Sequence, residues 1–380
     1  MAAITSVGSI KRSFRRLKDP RVVGRSRHLL IDMIVIAICG VIANCDDWKD
    51  IELFAKNRLT WFKRFLKLPN GIPSHDTFER LFARLDPRVF TQGCLEWLRA
   101  AADLVGVGHI AIDGKTLCGS ASSTLGPLHL VSAWATQAHL TLGEVAVEGK
   151  SNEITAIPKL LELLDLQGAL VTIDAIGCQK AIAQKIVAGG GDYLLAVKGN
   201  QGHLLDDIQA TVQRALDGEL PKHQVVSHTT TAHGHGRQER RTCTVVTNLD
   251  DIRDRAAWKK LKAVIMCCRE RTVNGQQTLE AHYFIGSRRQ AAYKYAAALR
   301  GHWGIENNLH WQLDVSFRED ASRIQDRNAA ENFALLRKLA LGLHKQHSAK
   351  LSIARKRKAA ALDPDFLAAT LTGAAKLEKV

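Results

Sequence analysis

Asp113, Asp174 and Glu306 are the residues of this 380-residue chain whose types and spacing could do phosphoryl chemistry. Asp113 closes the apolar stretch "HIAID" and is followed by Gly114 and Lys115, and Asp174 closes "ALVTID". Neighbouring strands lie about 4.8 Å apart, so two carboxylates displayed at one sheet edge can share divalent cations. Phosphodiester chemistry commonly uses two such ions about 3.5–4 Å apart. A third carboxylate, on a helix packed across the sheet, completes the ligand set, and Glu306 has that placement. Hard oxygen ligands suit Mg²⁺ or Mn²⁺, two ions per site. Each acid also has an ordinary reading. Asp-Gly is a common hairpin turn, Asp174 can be a helix N-cap, and Glu306 can be an exposed helical glutamate. The helical neighbours of Glu306, however, are His302, Trp303, Leu309 and His310, which do not make a plain solvated face.

Positioning these acids requires a sheet. "HIAID" (109–113), "LHLVSAWAT" (128–136) and "GEVAVEG" (143–149) read as three strands. A helix follows, capped by Ser151 or Asn152, with Ile154, Ile157, Leu160, Leu161 and Leu164 on one stripe. Then come a strand at 169–177, the helix "QKAIAQKIVA", a strand at 192–199 and a helix from about 202 to 216. Three strands, then alternating helices and strands, is the element order of a ribonuclease-H-like α/β fold with a mixed sheet. In that fold the strands ending in Asp113 and Asp174 are neighbours. Residues 217–287 read as a β-rich insertion, and a helical segment at about 289–315 carries Glu306. The expected organisation is a helical N-terminal DNA-binding domain (1–105), a catalytic core in two parts (106–216 and 288–345) around the insertion, and a basic C-terminal tail (346–380).

The net charge of +15 points to polyanions, nucleic acid before anionic membrane. Residues 11–27 carry eight basic residues and one acid, which suits phosphate contact better than a solvated arm. The longest apolar run, 29–43, holds Asp32 and is too short to span a bilayer. It reads as a buried helix. No small-residue cleavage site follows it, so the expectation is a cytoplasmic, nucleoid-associated protein without membrane contact. The eight cysteines include no C-x-x-C pair and read as reduced apolar residues.

"IAIDGKTLCGS", "EITAIPKLLELLDLQGALVTIDAIGCQK", "DYLLAVKGNQ", "HGHGRQERR" and "HWGIENNLHWQLDVSFRED" resemble bacterial insertion-sequence DDE transposases. The similarity is to the subgroup that includes the H-repeat-associated proteins, and "DPRVVGRSRHLLIDMIVIAICGVI" with "GIPSHDTFERLF" extends it into the N-terminal helices. The resemblance covers about residues 14–345. It implies a ribonuclease-H-like core with a β-strand insertion before the last acidic helix, and places the family's two Asp on Asp113 and Asp174 and its Glu on Glu306. It implies metal-dependent cleavage at the element's inverted repeats, attack of the freed 3′-OH on target DNA, and a homodimer that synapses two ends. One feature departs: where related transposases place Arg four before the Glu and Lys seven after, this chain has His302 and Leu313. Arg300 and Arg318 are nearby cations that could substitute.

Weaker candidates for DNA contact are Lys115 and Lys198, just past strand ends, against the alternative of plain surface lysines. Trp303 is a candidate for stacking on an extruded base, against a core tryptophan. His233 and His235 form an H-x-H that reads as a glycine-flanked hairpin turn before a metal site. Other functions fit the same residues: an inactive or repurposed transposase-derived DNA-binding protein, or a ribonuclease-H-like nuclease without strand transfer.

Overall fold

The computed structural model describes residues 2–22, 24–102, 107–121, 126–147, 152–234 and 236–372. His235 and Ser151 lie outside the described residues. Five strands build the part of the sheet that carries the aspartates: β1 (His109–Leu117), β2 (Leu128–Ala135), β3 (Leu140–Ala146), β4 (Leu170–Ile173) and β5 (Asp192–Val197). β1 to β3 form an antiparallel meander, while β4 pairs in parallel with β1 and with β5. The order β3-β2-β1-β4-β5 is the ribonuclease-H-like arrangement. β1 and β3 do not keep their expected bounds. β3 starts three residues early, and β1 runs through Asp113 to Leu117, pairing Asp113 with Ser132 of β2. Asp113 is therefore a strand residue and not part of a hairpin turn.

Strand periodicity decides which way the acids point. Ile110 and Ile112, with Val171 and Ile173, pack into one core with the helices α7 (Glu153–Leu161), α8 (Lys180–Ala188) and α9 (Gly202–Leu216). Ala111 and Leu117 belong to the core on the opposite face. Asp113 shares their parity, and Asp174 shares that of Thr172. The parallel β1–β4 ladder stops at Ile112↔Ile173, one residue before both aspartates.

Residues 217–287 do not form a separate unit. β6 (Val225–Gly234), β7 (Arg237–Val246), β8 (Ala263–Val273) and β9 (Gln276–Gly286) extend the same sheet to nine strands, in the order β3-β2-β1-β4-β5-β9-β8-β7-β6. β9 pairs antiparallel with β5, which would otherwise be an exposed edge. Sheet twist accumulates over so many strands. Accordingly α10 (Ala292–Ile305), lying on β1 and β4, is also touched by β6 and β7.

The remaining helices share one core. α1 (Ala2–Ser13), α2 (Leu30–Ile42), α3 (Trp48–Asn57), α4 (Leu59–Phe62), α5 (His75–Arg84) and α6 (Pro87–Ala102) precede the sheet. α11 (Trp311–Phe317), α12 (Arg327–Gln346), α13 (Ile353–Leu362) and α14 (Pro364–Thr372) follow it. α12 is buried nearly all round because it is wedged between the N-terminal helices and the sheet. The expected basic tail is a correction: α13 and α14 fold back onto α2 and α12. Arg357 is buried with its guanidinium 4.1 Å from the Phe317 ring centre and a 2.8 Å bond to Asp46, and Lys356 donates to the carbonyls of His344 and His347. These basic residues close helix ends and core gaps instead of facing solvent. Among the described residues no helix is long and apolar enough to cross a membrane.

Candidate active site

Asp113, in mid-β1, and Asp174, one residue past the end of β4, lie where the β1–β4 ladder stops, and local geometry holds each carboxylate. The Gly114 N–H donates to Asp113 Oδ1 (2.9 Å) and the Ile176 N–H to Asp174 Oδ1 (3.2 Å). Asp174 is thus the cap of a short 3₁₀ turn while its other oxygen stays available, so the capping and ligand readings are compatible. Glu306 arrives from across the sheet at the end of α10, where residues Glu306–His310 form one π-turn before α11. Such turns insert an extra residue into a continuous helix and recur at functional sites. Asp113, Glu306 and His310 each offer a ligand atom, all within 4.8 Å of one another. Asp174 stands beside Asp113 by register but outside that group of three.

The electrostatics are those of uncompensated acids. Burial pushes the Asp113 carboxyl up to about 7, with Asp174, Glu306 and Glu153 adding repulsion. Asp174 is also raised, by burial first and then by Glu153. Among the described residues, no lysine or arginine forms an ion pair with Asp113, Asp174 or Glu306. Asp113 and Glu306 instead meet His310, whose Nδ1 is 3.7 Å from Asp113 Oδ2 and 3.7 Å from Glu306 Oε2. Burial drives the His310 ring down to about 3, so it is neutral and supplies no countercharge. A cluster of this kind, with oxygen donors, one imidazole and no paired cation, fits a divalent metal ion.

The other expected DNA-contact residues separate into two sets. Lys198 and Trp303 share a cavity of about 420 Å³ with Asp174 and His302. Trp303 is 37% exposed, with its ring 5.8 Å from that of His282, so it is not a core tryptophan. Lys198 is exposed and lowers the Asp174 pKa. The remaining residues do other work. Lys115 is turned inward, 2.7 Å from Asp314, 3.3 Å from Asp320 and 3.4 Å from Glu319, and is taken up by carboxylates rather than offered to phosphate. His302 cannot stand in for an arginine. Burial lowers it to about 4, and its Nδ1 lies 3.1 Å from Thr172 Oγ1, which in turn meets His109 Nε2 at 2.9 Å. Arg300 lines a different cavity with Trp134 and His228, and Arg318 one with Asp46, Asp47 and Asp50. Neither cavity is lined by Asp113, Asp174 or Glu306.

Two features were not singled out by spacing. His310 was visible only as a neighbour of Glu306. The second is Glu153, whose Oε1 meets His129 Nε2 at 2.7 Å, while His129 Nδ1 meets Thr116 Oγ1 at 2.9 Å. This chain of bonds presses on Gly114: a Cβ there would lie 2.2 Å from Glu153 Oε1. A side chain after Asp113 would therefore displace the Glu153 carboxylate and the His129 ring, a constraint that a turn reading hides. Further away, Arg21, Arg25, Arg27, Arg80 and Arg84, with His28, Ser74 and Thr77, line a groove of about 670 Å³ beside α5. Among the described residues no carboxylate pairs with Arg25, Arg27, Arg80 or Arg84.

Comparison with known proteins places the chain in a family. The family described as "Transposase DDE domain" matches residues 108–343, and the one described as "DDE_Tnp_1-associated" matches residues 11–98. "Putative transposase YncI" of Escherichia coli O157:H7 is 39% identical over 373 residues, 95% of this chain and 94% of that protein. "H repeat-associated putative transposase YhhI" of E. coli K12 is 38% identical over 365 residues, 94% and 96% of the two chains. A solved structure of the piggyBac transposase synaptic complex with hairpin DNA superposes with a TM-score of 0.42 at 9% identity, covering 99% of this chain and 80% of that one. On the family match and the two full-length relatives, the chain belongs to the DDE transposases, in the subgroup of the H repeat-associated proteins.

Proposed function

We propose that the protein cuts DNA strands at the inverted-repeat ends of its own element and joins the freed 3′-OH to target DNA, with Asp113, Asp174 and Glu306 as the acids that hold its divalent cations. The observation that carries this reading is that Glu306 meets Asp113 from a distant segment, with Asp174 beside Asp113 by register, and that no lysine or arginine among the described residues forms an ion pair with any of the three. Bound Mg²⁺ or Mn²⁺ supplies Lewis-acid activation of the attacking oxygen and stabilisation of the leaving one, so in-line displacement needs no covalent enzyme intermediate. Asp113, fixed by the Gly114 N–H, and Asp174, fixed by the Ile176 N–H, keep their free oxygens aimed at the shared edge. Lys198 and Trp303, beside Asp174, hold the strand next to the scissile phosphate: the lysine takes a phosphate and the indole face an extruded base. The groove lined by Arg25, Arg27, Arg80 and Arg84, which pair with no carboxylate among the described residues, follows a duplex backbone away from the cut. Two ends must be brought together, so the working form is a homodimer on nucleoid DNA.

The test is a plasmid carrying the element's ends, incubated with protein and Mg²⁺. Wild type is expected to nick it and yield joined strands, while Asp113→Asn binds the same DNA in a gel shift and does neither. Undiminished nicking by Asp113→Asn refutes the assignment. Nicks without joined products reduce the protein to a nuclease.

A further inference from the structure

His310 is buried and yet bonded to nothing described. Its side chain is 7% exposed, and Nε2 has no hydrogen-bond partner. Nδ1 points at Asp113 Oδ2 and Glu306 Oε2, but at 3.7 Å from each it is beyond hydrogen-bonding reach of either. Buried polar atoms nearly always find partners, so a ring with none requires a reason. Its position in the chain supplies one. Glu306 and His310 are four residues apart on the same turn, which stacks their side chains. That turn is the π-turn, and it faces the strand residue Asp113. Ligands of an octahedral ion at 2.0–2.1 Å lie about 3 Å apart when adjacent and about 4.2 Å apart when opposite. Three donors within 4.8 Å, two of the separations being 3.7 Å, need only small shifts to share one ion.

We propose that His310 Nδ1 is a direct ligand of the cation held by Asp113 and Glu306, which makes this half of the site one nitrogen and two carboxylates. The inference rests on the reading of Asp113 and Glu306 as metal ligands given above. Coordination through Nδ1 leaves the ring proton on Nε2. Imidazole is a poor partner for Mg²⁺ and a better one for Mn²⁺ and later transition metals. The half-site therefore discriminates: it takes Mn²⁺ in preference to Mg²⁺, and that preference is due to His310.

The experiment uses full-length protein and MnCl₂ as the probe, without DNA, read by pulsed electron paramagnetic resonance. Wild type is expected to show ¹⁴N modulation from a directly bound imidazole, changing to the ¹⁵N pattern when the protein is grown with ¹⁵N-histidine. His310→Asn is expected to lose the nitrogen coupling and bind Mn²⁺ at least about tenfold more weakly, with a smaller change for Mg²⁺. Asp174→Asn keeps the coupling. If His310→Asn does not fold, the labelled wild-type protein still decides whether imidazole binds the ion. Manganese that Asp113→Asn abolishes, but that shows no nitrogen coupling in wild type, overturns the role of His310 and leaves the proposed function standing. Manganese binding indifferent to Asp113→Asn overturns both.

Discussion

Two acids occupy one cross-strand row on one face of the sheet, and they are treated in opposite ways. Asp113 pairs with Ser132, and Ser132 with Glu144, so the two carboxylates stand two strands apart. Glu144 is wholly buried and bonded to Lys338 of α12, itself buried. Two residues along β1 from Asp113, Lys115 gathers Asp314, Glu319 and Asp320. Among the described residues, Asp113 and Glu306 have only a neutral histidine. The fold therefore has lysines to spend on acids in this layer and spends them beside the site, not in it. A buried acid with a lysine is a structural element. One without is, on the function proposed above, held ready for a cation that is not part of the chain.

The largest expected effect tests the structural half of that contrast. Lys338→Met strands Glu144 in the core and is expected to cost about 3–5 kcal/mol in urea unfolding, most of it recovered by adding Glu144→Leu. If the single change costs under about 1 kcal/mol, the pair is not the structural element described. The site half predicts the opposite sign. Asp113 binds its proton more tightly folded, at about 7, than unfolded, at 3.8. The folded state thus holds the extra proton between these values, and stability falls as pH rises from about 4 to about 7. Asp113→Asn removes that fall. In metal-free buffer it is expected to be more stable than wild type by about 4 kcal/mol at pH 8, with the difference vanishing below about pH 4. Identical pH profiles would contradict the burial of an uncompensated charge at this position. The smallest effects concern DNA. Lys115→Met should leave the salt slope of DNA binding unchanged, because its charge is already paired. Arg80→Ala, in the open groove, should lower it by about one. Equal slopes for the two variants would erase the distinction between spent and offered cations.

The two aspartates were legible because an unbroken apolar run that stops on a carboxylate is a local signal, and the order of elements made the two strands neighbours, although β1 continues past Asp113 to Leu117. Lys115 was misleading for the complementary reason. Its partners Asp314, Glu319 and Asp320 lie some two hundred positions away in sequence, and nothing near "DGK" reports them. The same holds for Arg357, whose partners are Phe317 and Asp46. Local composition made a tail of a segment that long-range packing folds inward. The hairpins of 225–286 read correctly as strands, but their pairing onto β5 depends on an edge that exists only once the sheet has formed. His310 carried a faint signal, four residues after Glu306, that gained meaning only when its ring was found buried without partners.

The claim on which the rest depends is that Glu306, brought from the far end of the chain, works together with the two aspartates. Its side chain is 71% exposed and bonded to no lysine or arginine among the described residues, so Glu306→Gln should shift the unfolding midpoint little. The decisive measurement is Mg²⁺-dependent nicking of element ends by that variant, alongside its affinity for the same DNA. Nicking lost with folding and binding retained is the result expected. Nicking at the wild-type rate would contradict the three-acid site.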